Sequence, residues 1–340
     1  MQALIYKRPK NIFLTHLPDP QPGPDDVLIK TAYCGICGTD LHIIAGESPA
    51  AEEVVPGHEF SGTVIEVGSA VKNLQAGDRV CVDPNTHCGH CPACRQGKIH
   101  FCQNLKPIGV FQNGAMAQLC KAPASHVYKL PEKISLSAAA LTEPVSCIAH
   151  GWQRLLPIMD NPSICILGSG LIGTLWGLYL REQGLNDILY SEPKQNRRQA
   201  IEQFGFRAVA AEKFGKEKNP AKTVFDVIIE CSGNPTAIES AIPKLNDQGK
   251  FLLFGVCPQD SEITVSPFQI FRQELTILGS FINPGSFTRA LDFLMKTSES
   301  INKLDIKLFS LNEYKEAFRA AGSGDYLKVM FDLGSMINDQ

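Results

Sequence analysis

The sequence predicts an α/β protein of two domains, one a small β-barrel or sandwich and the other a doubly wound parallel sheet. Three observations carry this expectation. The chain has 340 residues, enough for about two domains. Short β-branched runs broken by Gly, Pro and Asp fill its first third. Strands then alternate with helices from near residue 162. Hydrophobic residues are 44% and charged residues 20%, an ordinary globular balance. The formal net charge of −3 favours neither nucleic acid nor an anionic membrane. No apolar run reaches the roughly 18 residues that cross a bilayer. In Met1–Arg8 the charges follow a short apolar stretch, and Pro9 interrupts what comes next. That is not signal-peptide anatomy, so a cytoplasmic location is expected.

In chain order, Val27–Lys30, Gly62–Val67 and Arg79–Val82 read as strands at the spacing of a small barrel or sandwich. The interval Asp83–Cys102 holds four Cys, three His and little apolar pattern. It is a loop too long to stand without a staple. Ser163–Leu167 is a compact apolar strand, and Leu171–Leu180 has helical length and periodicity. A strand at Asp187–Tyr190 and a helix from Asn196 to Phe204, stopped by Gly205, follow. Val224–Glu230 and Lys250–Phe254 are further strands, continuously apolar as in a parallel sheet covered on both faces. Short strands and helices return in the tail, ending in Tyr326–Phe331.

The chain has 12 cysteines. Without an export signal, a disulfide framework is not expected. Cys88, Cys91, Cys94 and Cys102, spaced x2, x2 and x7, offer four soft ligands and no open position. That describes a closed, structural tetrahedral zinc site. His87, His90 and His100 read as loop residues, because four cysteines already complete the shell. Arg95, Lys98 and Lys106 against Asp83 make no extended basic stripe, so a nucleic-acid role for this lobe is not expected.

Gly168-Ser169-Gly170-Leu171-Ile172-Gly173 follows a strand and opens a helix, the context a G-x-G-x-x-G needs. Gly168 permits the tight turn, Gly170 lets a pyrophosphate approach, and Gly173 lets helix and strand pack closely. The helix N-terminus supplies free N–H groups to a phosphate. Glu192 lies 19 residues after Gly173, where an acid takes the ribose hydroxyls, so NAD is favoured over NADP. Against this stand Lys194, Arg197 and Arg198, which could accept a 2′-phosphate if Glu192 turns away, or form a solvated helix face.

Cys34-Gly35-Ile36-Cys37-Gly38-Thr39-Asp40-Leu41-His42 precedes Gly57-His58-Glu59. Alone, the C-x-x-C is either redox-active or half a zinc ribbon. Together the segments supply a thiolate, an imidazole and carboxylates, and Glu143 could close the set. Mixed S, N and O ligands with one position left for water or substrate describe catalytic zinc.

Gly57-His58-Glu59-x2-Gly62-x5-Gly68-x2-Val71 matches the zinc signature of the medium-chain alcohol dehydrogenase superfamily. The Cys37…Thr39…His42 spacing, the four-cysteine lobe and the glycine turn follow in that family's order, so the resemblance spans essentially the whole chain. Glu143, where classical alcohol dehydrogenases carry a third ligand cysteine, points to the sorbitol, arabinitol and threonine dehydrogenase branch.

The resemblance implies a GroES-like β-barrel catalytic domain over 1–147, with its zinc lobe at 83–104. A Rossmann domain would span 148–281, and 282–340 would return to the catalytic domain. It implies two zinc ions per chain, a catalytic and a structural one. Cys37 and His58 would hold the catalytic ion with Glu59 or Glu143, the other acid acting directly or through water. Asp40 would orient the ligand histidine. Thr39 would relay a proton toward His42, and Cys34 would pack as a small hydrophobe. Cofactor contacts are implied for Leu171, Ile172, Arg197, Cys231, Gly255, Val256 and Ser280. The implied reaction is NAD-dependent oxidation of a secondary alcohol, a polyol or sugar alcohol, to a ketone. NADP-dependent, threonine-type and butanediol-type dehydrogenases of the same superfamily, and a non-catalytic relic, are the alternatives. A small-molecule alcohol or ketone is the only expected partner besides a second copy, in a homodimer or homotetramer.

The sequence departs from the pattern at Ile282, which stands where sorbitol dehydrogenases carry a polyol-binding arginine. Lys328, near the end, either approaches the zinc-site glutamate or is a solvated strand lysine.

Overall fold

A computed structural model describes residues 1–8, 10–214 and 224–334. Pro9 and the last six residues of the expected 282–340 segment lie outside the described residues. The chain divides into two compact units, Met1–Ser146 with Asn283–Gln340, and Cys147–Ile282.

Sixteen strands occur among the described residues. They are β1 (Gln2–Lys7), β2 (Asn11–His16), β3 (Asp26–Gly35), β4 (Glu53–Val54), β5 (Glu59–Val67), β6 (Arg79–Val82), β7 (Leu119–Pro123) and β8 (Val127–Lys129). Then come β9 (Ile164–Leu167), β10 (Ile188–Ser191), β11 (Arg207–Val209), β12 (Phe225–Glu230), β13 (Leu245–Leu253) and β14 (Thr276–Gly279). The tail adds β15 (Ile306–Phe309) and β16 (Lys328–Asp332).

In the first unit, β2, β1 and β4 form a small antiparallel sheet. The opening residues thus pair as a hairpin, which their charges did not signal. The larger sheet runs β15-β16-β3-β5-β6-β8, with β7 also on β3. Its long strand β3 pairs antiparallel with β5, β7 and β16. Ile29, Phe60, Val80, Met116 and Phe331 bury their side chains in one core between these strands. Register places Gly35 opposite Glu59 on one side and opposite Met330 on the other. The end of β3, the start of β5 and the strand β16 therefore lie side by side.

In the second unit six parallel strands take the order β11-β10-β9-β12-β13-β14. Counted within the unit, this is 3-2-1-4-5-6, the order of a doubly wound dinucleotide fold. Strands β9, β10 and β12 are apolar along most of their length, and Cys165, Ile228 and Phe251 sit in the core. A parallel strand covered on both faces needs that composition.

The chain passes from the first unit to the second inside the helix Thr142–Leu155. It returns at Ile282–Asn283, where Ile282 takes φ 44, an outlying conformation for a β-branched residue. Asn283 is then buried and tied on all sides. Its amide donates to Ser146 Oγ at 2.8 Å and to Asp83 Oδ1 at 3.3 Å, and accepts from Asn85 Nδ2 at 2.7 Å.

Candidate functional site

The first site forms where β3 ends. Cys37 precedes the helix Gly38–Ala45, and its backbone N–H donates to Asp40 Oδ2 at 2.8 Å in a capping box. Asp40, 1% exposed, is thereby fixed with its other oxygen 3.5 Å from His58 Nδ1. Neither of these two atoms has a hydrogen-bond partner of good geometry, and both are buried. The arrangement lets the carboxylate orient the imidazole. Burial lowers the pKa of His58, but the charges and hydrogen-bonding groups of Asp40 and Cys37 together outweigh it and raise it. Glu59, 2% exposed, opens β5 directly after His58.

Cys37, His58 and Glu59 bring one sulfur, one ring nitrogen and one carboxylate oxygen within 4.8 Å of one another. Three unlike donors converging in a buried spot fit a zinc ion with a further position open. Glu143 is outside this trio. It stands half-buried in the first turn of the helix Thr142–Leu155. Cys34 is fully buried, and burial pushes its thiol well up, as for an inert core cysteine.

Two further side chains belong to this centre, one that the sequence offered as an alternative and one that was not read from it. Lys328 is one: of its two readings, the structure shows the buried one. Its ammonium pairs with Glu59 Oε2 and donates to Ile36 O at 2.9 Å. Burial lowers its pKa, but the charges of Glu59, Cys37 and Asp40 raise it further than burial lowers it. The other is Glu47, whose Oε2 lies 2.7 Å from His42 Nδ1. Thr39 and His42 are three residues apart on one helix face, and Thr39 Oγ1 is 3.8 Å from Cys37 Sγ.

The second site is the lobe. The sulfurs of Cys88, Cys91, Cys94 and Cys102 all lie within 4.8 Å of one another. Cys102 Sγ is 3.5 Å from Cys88 Sγ and 3.9 Å from Cys91 Sγ. A tetrahedron with arms of about 2.3 Å has edges near 3.8 Å, whereas a disulfide would need about 2.05 Å. The backbone N–H groups of Cys88 and Asn104 also point at Cys102 Sγ, at 3.4 and 3.3 Å. The backbone N–H of His90 leads the contacts that pull the Cys88 thiol down to about 5, while burial pushes Cys94 up to about 12. Four thiolates this close need a cation to be stable together.

The third site lies at the carboxyl ends of the parallel strands, around the switch point between β9 and β12. Gly168 follows β9 with φ 92, and Gly170 caps the helix Leu171–Glu182, leaving the N–H groups of Leu171 and Ile172 in its first turn. A Cβ on Gly173 would run into Gly168 O, so only glycine allows this turn to close. Cys231, Gly255, Val256 and Ser280 follow β12, β13 and β14 at the same end. Ser280 Oγ is buried there without a hydrogen-bond partner.

Glu192, directly after β10, is 2% exposed and turned under the glycine loop. Its Oε2 accepts from Ser169 N at 2.8 Å and Ser169 Oγ at 3.2 Å, and its Oε1 from Lys194 N at 2.9 Å. Arg197 Nη1 would lie 3.7 Å from a Cβ on Gly170, and Arg198 donates to the carbonyls of Glu192 and Pro193. The acid and the cations that the sequence set against each other thus occupy the same corner.

Compared with known proteins, residues 23–132 match the family described as alcohol dehydrogenase GroES-like domain, and residues 172–296 match zinc-binding dehydrogenase. A D-altritol 5-dehydrogenase of Agrobacterium fabrum is 31% identical over 338 residues, 97% of this chain and 99% of that protein. An L-threonine 3-dehydrogenase of Cutibacterium acnes is 32% identical over 347 residues, 98% and 99% of the two chains. A solved zinc-binding dehydrogenase from Sinorhizobium meliloti, bound to NADP, superposes with a TM-score of 0.90 at 33% identity, covering 97% and 98%.

Proposed function

The chain belongs to the zinc-dependent medium-chain alcohol dehydrogenase superfamily, in the branch of the polyol dehydrogenases, and on that premise we propose that it oxidises a polyol or sugar alcohol at a secondary carbon, reversibly, with NAD. It is an oxidoreductase that uses zinc and a nicotinamide cofactor. The observation that carries the reading is the convergence of Cys37, His58 and Glu59 on one point.

In this reading Cys37, His58 and Glu59 hold the catalytic zinc, and the lobe cysteines hold a second, structural one. When bound, the catalytic ion acts as a Lewis acid that makes an alcohol hydroxyl easier to deprotonate, and the nicotinamide accepts hydride. The protein's part is to place groups around that event. Asp40 fixes the ring of His58. Thr39 takes the proton through its hydroxyl, and His42 passes it outward, its side chain 41% exposed and its Nδ1 held by Glu47. Glu143 acts through water rather than as a ligand. Gly168, Gly170 and Gly173 shape the pyrophosphate turn, with Leu171 and Ile172 offering N–H groups.

For the cofactor, the buried charge of Glu192 supports NAD. Arg197 and Arg198 beside it make the discrimination against NADP modest, in keeping with the NADP held by the Sinorhizobium relative. For assembly, a homodimer or homotetramer is supported by the open edge strand β14 and by Phe268 and Phe271, 72% and 78% exposed. Light scattering on the purified protein would show a multiple of the 37.2 kDa chain. No helix among the described residues is long and apolar enough to cross a membrane. The twelve cysteines, none in a disulfide, suit a reducing, cytoplasmic compartment.

The test is a panel of polyols, diols, simple alcohols and threonine, each assayed with NAD and with NADP. Reduction of NAD with one or more polyols is expected. Turnover confined to threonine or to a simple primary alcohol would overturn the substrate class, and no turnover with any of them would favour a non-catalytic role.

A further inference from the structure

Lys328 has no part in the chemistry described so far, yet it touches the metal centre. Three neighbouring strands of the large sheet bring it there. In the order β16-β3-β5, the middle strand presents Gly35 opposite Glu59. Gly35 has no side chain, so Lys328 from β16 and Glu59 from β5 meet across it. A Cβ at position 35 would lie 2.5 Å from Glu59 Oε2 and 2.7 Å from Lys328 Cε. The sheet therefore keeps a slot shaped for this ion pair.

The pair is sealed from water, its lysine and glutamate side chains 4% and 2% exposed. Lysine is almost never buried to this degree unless paired. The second bond of the ammonium, to Ile36 O at 2.9 Å, anchors it one residue from Cys37. A permanent positive charge thus stands beside donors that would otherwise be an excess of negative charge: the carboxylates of Glu59 and Asp40 and the thiolate of Cys37.

We propose that Lys328 is the resident counter-cation of the metal centre: it neutralises Glu59 when no metal is held and shares that carboxylate when one is. This rests on the reading that Cys37, His58 and Glu59 bind zinc. Two consequences follow from charge alone. The centre stays folded without metal, because Glu59 already has a buried partner. Glu59 is also a weakened donor, because its negative charge is divided between two cations and the ammonium repels the ion. Lys328 is thus a positioning residue that trades metal affinity for an exchangeable ligand and a stable empty site.

The test compares Lys328→Met, which keeps the length and removes the charge, with Lys328→Arg, which keeps the charge. Zinc affinity is measured by competition with a chelator, and thermal unfolding is followed with and without zinc. The lobe's share of the metal is taken from a Cys37→Ser protein. Lys328→Met is expected to bind zinc about tenfold more tightly or better, on the scale of one nearby unit charge in a protein interior. Its metal-free form should unfold at a lower temperature, so that zinc raises its Tm by more than it does in the wild type. Lys328→Arg should stay within a few-fold of the wild-type affinity. If the metal-free Lys328→Met protein fails to fold, zinc release from the loaded protein is the readout, and it should be slower than in the wild type. A folded Lys328→Met protein with unchanged or weaker affinity, or unchanged or faster release, overturns the proposal alone. A wild-type protein that holds no zinc beyond the lobe overturns the metal reading beneath it as well.

Discussion

The two groups of converging ligand side chains in the first unit are built on opposite principles. The lobe gathers four donors of one kind from a single stretch, Cys88 to Cys102, on a loop with a four-residue helix and one short 3-10 turn. The other centre takes three donors of three kinds from the end of β3, the turn before β5 and the start of β5. It then adds a buried aspartate and a buried lysine. Four thiolates close a tetrahedron and leave nothing to react. Three mixed donors leave a position open. The difference teaches that local, uniform ligands serve to hold a loop, whereas ligands drawn from separate strands serve to hold chemistry in place.

The sharpest way to break that comparison is to remove one ligand from each side. Cys102→Ser should cost the lobe its zinc, and structural zinc is worth about 10–16 kcal/mol to small finger peptides. In this larger fold, a drop in Tm of more than about 10 °C is expected, with one zinc per chain lost by metal analysis. Turnover per folded molecule should stay within a few-fold. Cys37→Ser should do the reverse: one zinc lost, Tm moved by a few degrees, and turnover reduced by about 10³-fold or more, roughly 4 kcal/mol of barrier. Should both variants lose stability and activity alike, the division into a structural and a reactive site is wrong.

How much of each region was legible follows from the same contrast. The lobe was readable because its ligands are neighbours in the chain, and the spacing Cys88-x2-Cys91-x2-Cys94-x7-Cys102 is itself the geometry. The glycine turn was readable because Gly168 to Gly173 is equally local. At the mixed centre, Cys37, His58 and Glu59 were found, but the choice between Glu59 and Glu143 was not settled. It depends on where the fold puts each acid, Glu59 at the start of β5 beside His58 and Glu143 in the first turn of a helix. Lys328 lies 269 residues from Glu59, and no local pattern joins them. The sequence therefore left Lys328 between the zinc-site glutamate and solvent, and Gly35 is the gap in the sheet through which the ion pair meets. The hairpin of β1 and β2 was missed for another reason. Its charged residues sit at the strand ends and at the turn, and the apolar stretch between them is only a few residues long.

A smaller effect tests whether the reactive centre is also arranged to move a proton, which the lobe has no means to do. Thr39→Val removes a hydroxyl at nearly constant shape, 3.8 Å from Cys37 Sγ. Turnover should fall by about 10²-fold, the lower range for a lost proton-transfer group. Zinc content and Tm should not change. Full activity would remove Thr39 from the relay and leave the metal centre standing.

The smallest effect lies in the second unit, where a buried carboxylate and nearby cations recur in another setting. At the metal centre Lys328 touches Glu59 directly. At the cofactor corner Glu192 is instead tied by Ser169 N, Ser169 Oγ and Lys194 N, with Arg198 bonded to its backbone carbonyl rather than to its carboxylate. The negative charge of Glu192 is therefore held but not cancelled, and it should repel a 2′-phosphate while Arg197 and Arg198 attract one. Glu192→Gln keeps the acceptor for Ser169 and removes the charge. The ratio of kcat/KM for NAD to that for NADP should fall by about tenfold, near 1.4 kcal/mol. A ratio that does not move would mean that the carboxylate is a brace for the glycine turn and that the arginines alone set the cofactor. A wild-type ratio already in favour of NADP would mean that those cations, and not the acid, define this corner.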